Sequence, residues 1–147
     1  VLLDMLSQAL GVPERFPGSP GVARAVQLWD SKARSDFLKL FGRPGRATAC
    51  ECERAREPSA GQVLNLLNSP DLQAKLTHEA GTVARLVRTH PDDAKLVEEL
   101  YLTFFARFPT AAESKVGVGH LRKGANARRA AAEDLAWALL NSTEFLF

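Results

Sequence analysis

Cysteine is scarce in this chain: two residues in 147, too few for a disulfide framework and no guide to the redox compartment. No apolar run approaches the roughly 20 residues that a membrane-spanning helix needs. No signal-peptide pattern is visible. Cys-x-x-Cys-His, the covalent haem motif, does not occur, nor do a glycine-rich phosphate loop or a Gly-x-Ser-x-Gly elbow. Gly117-Val118-Gly119 lies within a helical pattern and follows no strand, so it reads as a close helix contact. A dominant charge sign is missing too. Nineteen basic residues face seventeen acidic ones, a net charge of +2, and the signs are interspersed. Nucleic-acid binders usually gather Lys and Arg on one face, which argues against that class. The nearest approach is Arg122, Lys123, Arg128 and Arg129 around Gly124, which reads as solvated charge.

What is present is a phrase that occurs twice. Leu66-Leu67-Asn68-Ser69-Pro70 returns as Leu139-Leu140-Asn141-Ser142-Thr143. Each copy ends an apolar helical run and precedes a shorter one, so each reads as helix, corner, helix. Asn suits a left-handed residue that stops one helix, and Ser suits the N-cap of the next. Pro70 falls at a first helical position, where a missing N–H is harmless. The repeated motif covers 59–78 and 127–147.

The remaining pattern is helical throughout. Leu2, Leu3, Met5, Leu6, Ala9 and Leu10 mark a first helix, stopped by Gly11. Residues 12–22 are rich in Pro and Gly and read as loop. Arg24 to Leu28 alternates and reads as extended. Asp30 or Ser31 is placed to cap a helix bearing Ala33, Phe37, Leu40 and Phe41, ended by Gly42. Residues 43–58 read as a second long loop. Ser59 begins a helix through Val63, Leu64 and Leu67. Leu72 and Leu76 mark the next, and Thr82 is placed to cap one bearing Val83, Leu86 and Val87.

The clearest helix follows Pro91. Leu96, Val97, Leu100, Tyr101, Phe104, Phe105 and Phe108 form one broad apolar stripe, expected at the centre of a core. Thr110 and Glu113 have capping-box spacing. The helix they start runs to about Lys123 and Gly124, and the last long helix spans about Ala127 to Leu140. The expectation is an all-α, irregular bundle of seven to nine helices forming one domain over 1–147. Its opening, Val1-Leu2-Leu3-Asp4, looks like the inside of a helix, so the chain is expected to be a fragment of a longer protein.

One stretch is a candidate for chemistry: Ala49-Cys50-Glu51-Cys52-Glu53-Arg54. Two thiolates one residue apart can share a zinc or copper ion, which would still need further ligands. His78, His90 and His120 have no ligand spacing to them. Arg43, Arg46, Arg54 and Arg56 favour a lowered thiol pKa, whereas Glu51 and Glu53 oppose it. The alternatives are a loop organised by Glu51, Glu53 and Arg54 with idle thiols, a strained local disulfide, or pairing with a cysteine elsewhere in the parent protein. Asp92-Asp93 and Glu98-Glu99 read as helix-start and solvent-facing carboxylates rather than catalytic pairs.

Several phrases together resemble one family. They are Val1-Leu-Leu-Asp4, Gly11-Val-Pro13, Arg24-Ala-Val-Gln-Leu28, Phe41-Gly-Arg-Pro44, Ala49-Cys-Glu-Cys-Glu-Arg54, Glu57-Pro-Ser59, Leu66-Leu-Asn-Ser-Pro70, Leu100-Tyr101, Arg107-Phe-Pro-Thr110, Leu139-Leu-Asn-Ser142 and Glu144-Phe145-Leu146. In this order they are similar to the C-terminal portion of a bacterial domain abundant in planctomycetes, domain of unknown function 1553. Trp29 and Gly45-Arg46 depart from its usual wording. The resemblance implies a long exported parent protein, often carrying a c-type cytochrome module, and brings no established activity. Residues 100–147 also resemble helical repeats of some bacterial surface proteins. The favoured expectation is therefore a non-catalytic helical module, packing against the rest of its parent chain or binding a protein or glycan. The alternative is a metal- or redox-linked enzyme part built on Cys50 and Cys52.

Overall fold

Short apolar stripes closed by capping groups make the helices of this chain. A computed structural model describes residues 2–18, 24–28, 35, 37–38, 41, 68–124 and 127–146. Among them are seven α-helices, one 3₁₀ turn at Ala25–Gln27, and no strand. The helices are α1 Leu2–Leu10, α2 Pro70–Leu76, α3 Thr82–Thr89, α4 Asp93–Phe105, α5 Ala111–Lys123, α6 Arg128–Leu140 and α7 Thr143–Leu146. The fold is all-α, as its periodicity predicts. The expected loop at 43–58 and the helix from Ser59 to Leu67 lie outside the described residues.

The chain forms two compact units, Val1–Gln8 with Pro13–Ser69, and Ala9–Val12 with Pro70–Phe147. In the first, Leu3, Leu6 and Phe16 are buried, while Met5 is 46% exposed and leaves the expected stripe. Arg24 to Leu28 is not simply extended: residues 25–27 form a 3₁₀ turn. Two contacts hold it: the Gln27 side chain accepts the Arg24 N–H at 3.1 Å, and Asp4, a buried carboxylate, accepts the Ala25 and Val26 N–H groups at 2.5 and 3.1 Å. Convergence of two adjacent amides on one carboxylate tightens the backbone. Residues 12–18 are irregular, as expected. Phe37 stacks on Phe41 with centroids 4.3 Å apart. The Ser35 hydroxyl accepts the Leu38 N–H at 3.3 Å. The expected caps Asp30 and Ser31, with Ala33 and Leu40, lie outside the described residues.

In the second unit Leu96, Val97 and Leu100 of α4 are fully buried beside Leu76, Val83, Leu121, Ala132, Ala136 and Leu140. Helix α4 packs on α5, and α6 lies against α3, α4 and α5. Gly117 permits the α5 approach, because a Cβ there would meet Val97 Cγ2 at 2.9 Å. The expected close contact therefore holds for Gly117, whereas Gly119 faces open space. Gly11 stops α1 with φ +69°, where a side chain would also strike Thr82 Oγ1.

Capping follows the sequence at several ends. Asp92 accepts the Lys95 N–H at 3.1 Å. The Thr110 hydroxyl accepts the Glu113 N–H, and the Glu113 carboxylate accepts the Thr110 N–H at 2.7 Å. At α3 the cap shifts by one residue: Gly81 is the N-cap, and Thr82 is already helical and buried.

The stripe of α4 ends early. Ala106 turns left-handed at φ 54°, ψ 26°, so the helix closes at Phe105. Phe104 is buried, Phe105 half-buried and Phe108 64% exposed, which removes Phe108 from the expected core. Pro109 disfavours a helical Phe108 as well.

At the repeated corners, serine directly precedes the second helix in both copies. The Ser142 hydroxyl accepts the Phe145 N–H at 3.3 Å and donates to the Leu139 carbonyl at 2.7 Å. Asparagine does not turn left-handed. Asn68 is helical, and Asn141 has φ −92° and ψ 6°, with its amide donating back to the Trp137 carbonyl at 2.9 Å. That bond closes the helix end without a positive φ.

Candidate functional site

Cys50, Glu51, Cys52, Glu53 and Arg54 lie outside the described residues. Two of the three histidines, His78 and His90, bond groups next to them in the chain. His78 Nδ1 accepts the Ala80 N–H at 3.1 Å, and His90 Nδ1 lies 2.9 Å from the Thr89 hydroxyl. His120 Nε2 is 4.0 Å from Asp134 on the surface. Among the described residues no three His, Cys, Asp or Glu side chains are grouped to hold a metal ion.

The densest charged assembly centres on Arg107, which the sequence marks only as the start of the Arg107-Phe-Pro-Thr110 phrase and not as a site. It follows left-handed Ala106, which turns its side chain back over α4, 5.4 Å from the ring centroids of both Tyr101 and Phe105. Its Nη1 and Nη2 donate to the two Glu113 oxygens at 3.0 and 2.9 Å. Its Nε and Nη2 donate to the two Glu144 oxygens at 2.5 and 2.8 Å. Nη1 also donates to the Phe108 carbonyl at 3.0 Å. Guanidinium has five N–H donors in a rigid fork, and each has an acceptor here.

The charges answer to this geometry. Hydrogen bonds from Arg107, then from Thr110, lower the Glu113 pKa to about 2. The Arg107 bond lowers that of Glu144, and the two carboxylates raise that of Arg107. Burial, then the Glu113 charge, raises the Tyr101 pKa. In the sequence, Glu113 shows only as half of a capping box, and Arg107 and Glu144 only as members of family phrases. The Arg107–Glu144 pair joins residues far apart in the chain.

Arg128 and Arg129 are not simply solvated. Arg128 bonds Asp93 at 2.9 Å and donates to the Val87, His90 and Pro91 carbonyls, closing the C-terminal end of α3. Arg129 bonds Glu133 and Glu79, at 2.8 and 2.6 Å, and the Thr77 carbonyl just past α2. Cations at helix C-termini satisfy open carbonyls and oppose the helix dipole. The Arg129 hydrogen bond lowers the Glu79 pKa.

The sequence profile of a family described as protein of unknown function (DUF1553) matches residues 19–121. The chain belongs to this family. No curated protein and no solved structure matches it. The DUF1553 segment includes the Cys50-Glu51-Cys52 phrase, Arg107 and Glu113, whereas Arg128, Arg129 and Glu144 lie past its last matched residue.

Proposed function

We propose that this DUF1553 chain is a helical structural and interaction module of a larger protein, and that its charged side chains serve the fold rather than a reaction. The observation that carries the reading is the saturated fork of Arg107, all of whose donors are bonded to the chain's own oxygens. Binding a substrate anion there would require breaking charge-assisted bonds already made. The parent is proposed to be an exported bacterial protein, with this module packed against its other parts, among them a c-type cytochrome module, or engaging a protein or glycan ligand.

A second reading rests on Cys50 and Cys52, which fall inside the matched segment. Two thiolates at this spacing suit one zinc or copper ion if other groups complete its shell. One experiment separates the two readings. The chain is purified without chelator or reductant, its metal content is measured, and its unfolding is followed with and without EDTA. The structural reading expects far less than one metal per chain and unfolding indifferent to EDTA. One equivalent of zinc or copper, lost in Cys50→Ser, would replace it with the metal reading.

A further inference from the structure

Among the described residues, helix α5 presents an exposed outer face. Val116 is 72% exposed, and Phe108 in the corner leading into the helix is 64% exposed. Ala112 and Lys123 are exposed on the same helical face as Val116, with Gly119 between them. Lys115 and Arg122, two turns apart, line one flank and are also exposed.

Among the described residues Lys115, Arg122 and Lys123 make no ion pair. The one carboxylate of α5, Glu113, is held by Arg107. On the other flank His120 stands 4.0 Å from Asp134. The exposed face therefore carries Ala112, Val116 and Gly119 along its centre, Lys123 at its C-terminal end, and Lys115 and Arg122 along one edge.

Gly119 adds a separate observation. Glycine inside a helix is unfavourable relative to alanine. Gly117 has an internal reason, its contact with Val97, but a Cβ on Gly119 would meet nothing within 4 Å. A residue without a side chain leaves room there for the backbone of another helix.

We propose that the outer face of α5 docks an acidic amphipathic helix of a partner protein, with apolar side chains over Val116 and Gly119 and carboxylates against Lys115, Arg122 and Lys123. This rests on the interaction reading above and names the partner's chemistry. Unpaired cations beside an apolar strip favour a partner carrying the opposite charge.

The test uses a fluorescently labelled synthetic helix with Leu on one face and Glu on the others, titrated with the intact chain and followed by anisotropy. The wild type should bind saturably, and added salt should weaken binding. Val116→Asp, and separately Lys115→Glu with Arg122→Glu, should each weaken it about tenfold, a loss of the size that removal of a central contact brings. Gly119→Leu should weaken binding while circular dichroism shows the helices intact. No binding at low salt, or equal binding by all variants, would overturn the proposal. So would a dimer of the chain that Val116→Asp abolishes and the peptide does not displace, or binding to phosphatidylglycerol vesicles in place of the peptide. Loss of peptide binding as a result leaves the metal measurement untouched, and stoichiometric metal would refute the structural reading without altering the titration.

Discussion

Arg107 and Glu144 face each other in a two-bond fork, Nε to Oε1 at 2.5 Å and Nη2 to Oε2 at 2.8 Å, across the junction of α4 and α7. The same guanidinium grips Glu113 at the start of α5. Three helix ends are thereby tied through one side chain, and Phe145, next to Glu144, lays its ring edge-on to Phe104 at 5.9 Å.

Acid should loosen this junction. The Glu113 pKa is lowered from 4.5 to about 2, and that of Glu144 is lowered as well. A carboxylate whose folded-state pKa lies below its unfolded value adds stability that is complete above the unfolded value and is lost as pH falls through the folded one. The melting temperature should therefore fall from about pH 4.5 toward pH 2, as these carboxylates become protonated. Glu113→Gln should melt lower at neutral pH and show a shallower acid decline. A wild-type acid profile identical to that of Glu113→Gln would refute this assignment.

Truncating Phe104 should be severe. Its ring is 6% exposed at the meeting of α4 and α7. Phe104→Ala should cost roughly 3–5 kcal/mol in denaturant unfolding, the usual loss for a buried aromatic. A loss below about 1 kcal/mol would place the ring outside the core.

Ala106 sits where glycine fits better, at φ 54°. An L-residue in that conformation costs about 1–2 kcal/mol, which glycine avoids. Ala106→Gly should stabilise the chain by up to about 1 kcal/mol, after the added flexibility of its unfolded state is set against that relief. A destabilised variant would mean that Ala106 is not left-handed in solution.

The two glycines of α5 should respond in opposite directions. Gly119→Ala enters open space and should stabilise by about 0.5–1 kcal/mol through helix propensity alone. Gly117→Leu collides with Val97 and should destabilise by about 1–3 kcal/mol. Equal effects at both positions would contradict the packing of α5 on α4.

Features written within one or two helical turns were legible in the sequence. The Thr110–Glu113 box, the helix-start place of Asp92, the Gly117 contact and the serine of each repeated corner need only local geometry. Features set by distant partners were not. The turn at Ala25–Gln27 is held by Asp4 in another helix as well as by its own Gln27, and the distant half of that arrangement cannot be read between Arg24 and Leu28. Phe108 continues the apolar spacing of α4, but Ala106 reverses the chain before Phe108 can join the stripe. Arg128 and Arg129 read as solvated charge because most of their partners lie far away in the chain. The alternative site the sequence offered, Cys50 and Cys52, lies outside the described residues.

The central claim is that the Arg107 fork belongs to the fold. A double-mutant cycle tests it most directly, with equilibrium unfolding of wild type, Arg107→Ala, Glu144→Gln and the double variant. The account predicts that each single change lowers stability and that the double costs less than their sum, because both remove the same bonds. Strict additivity, or an Arg107→Ala variant as stable as wild type, would contradict it.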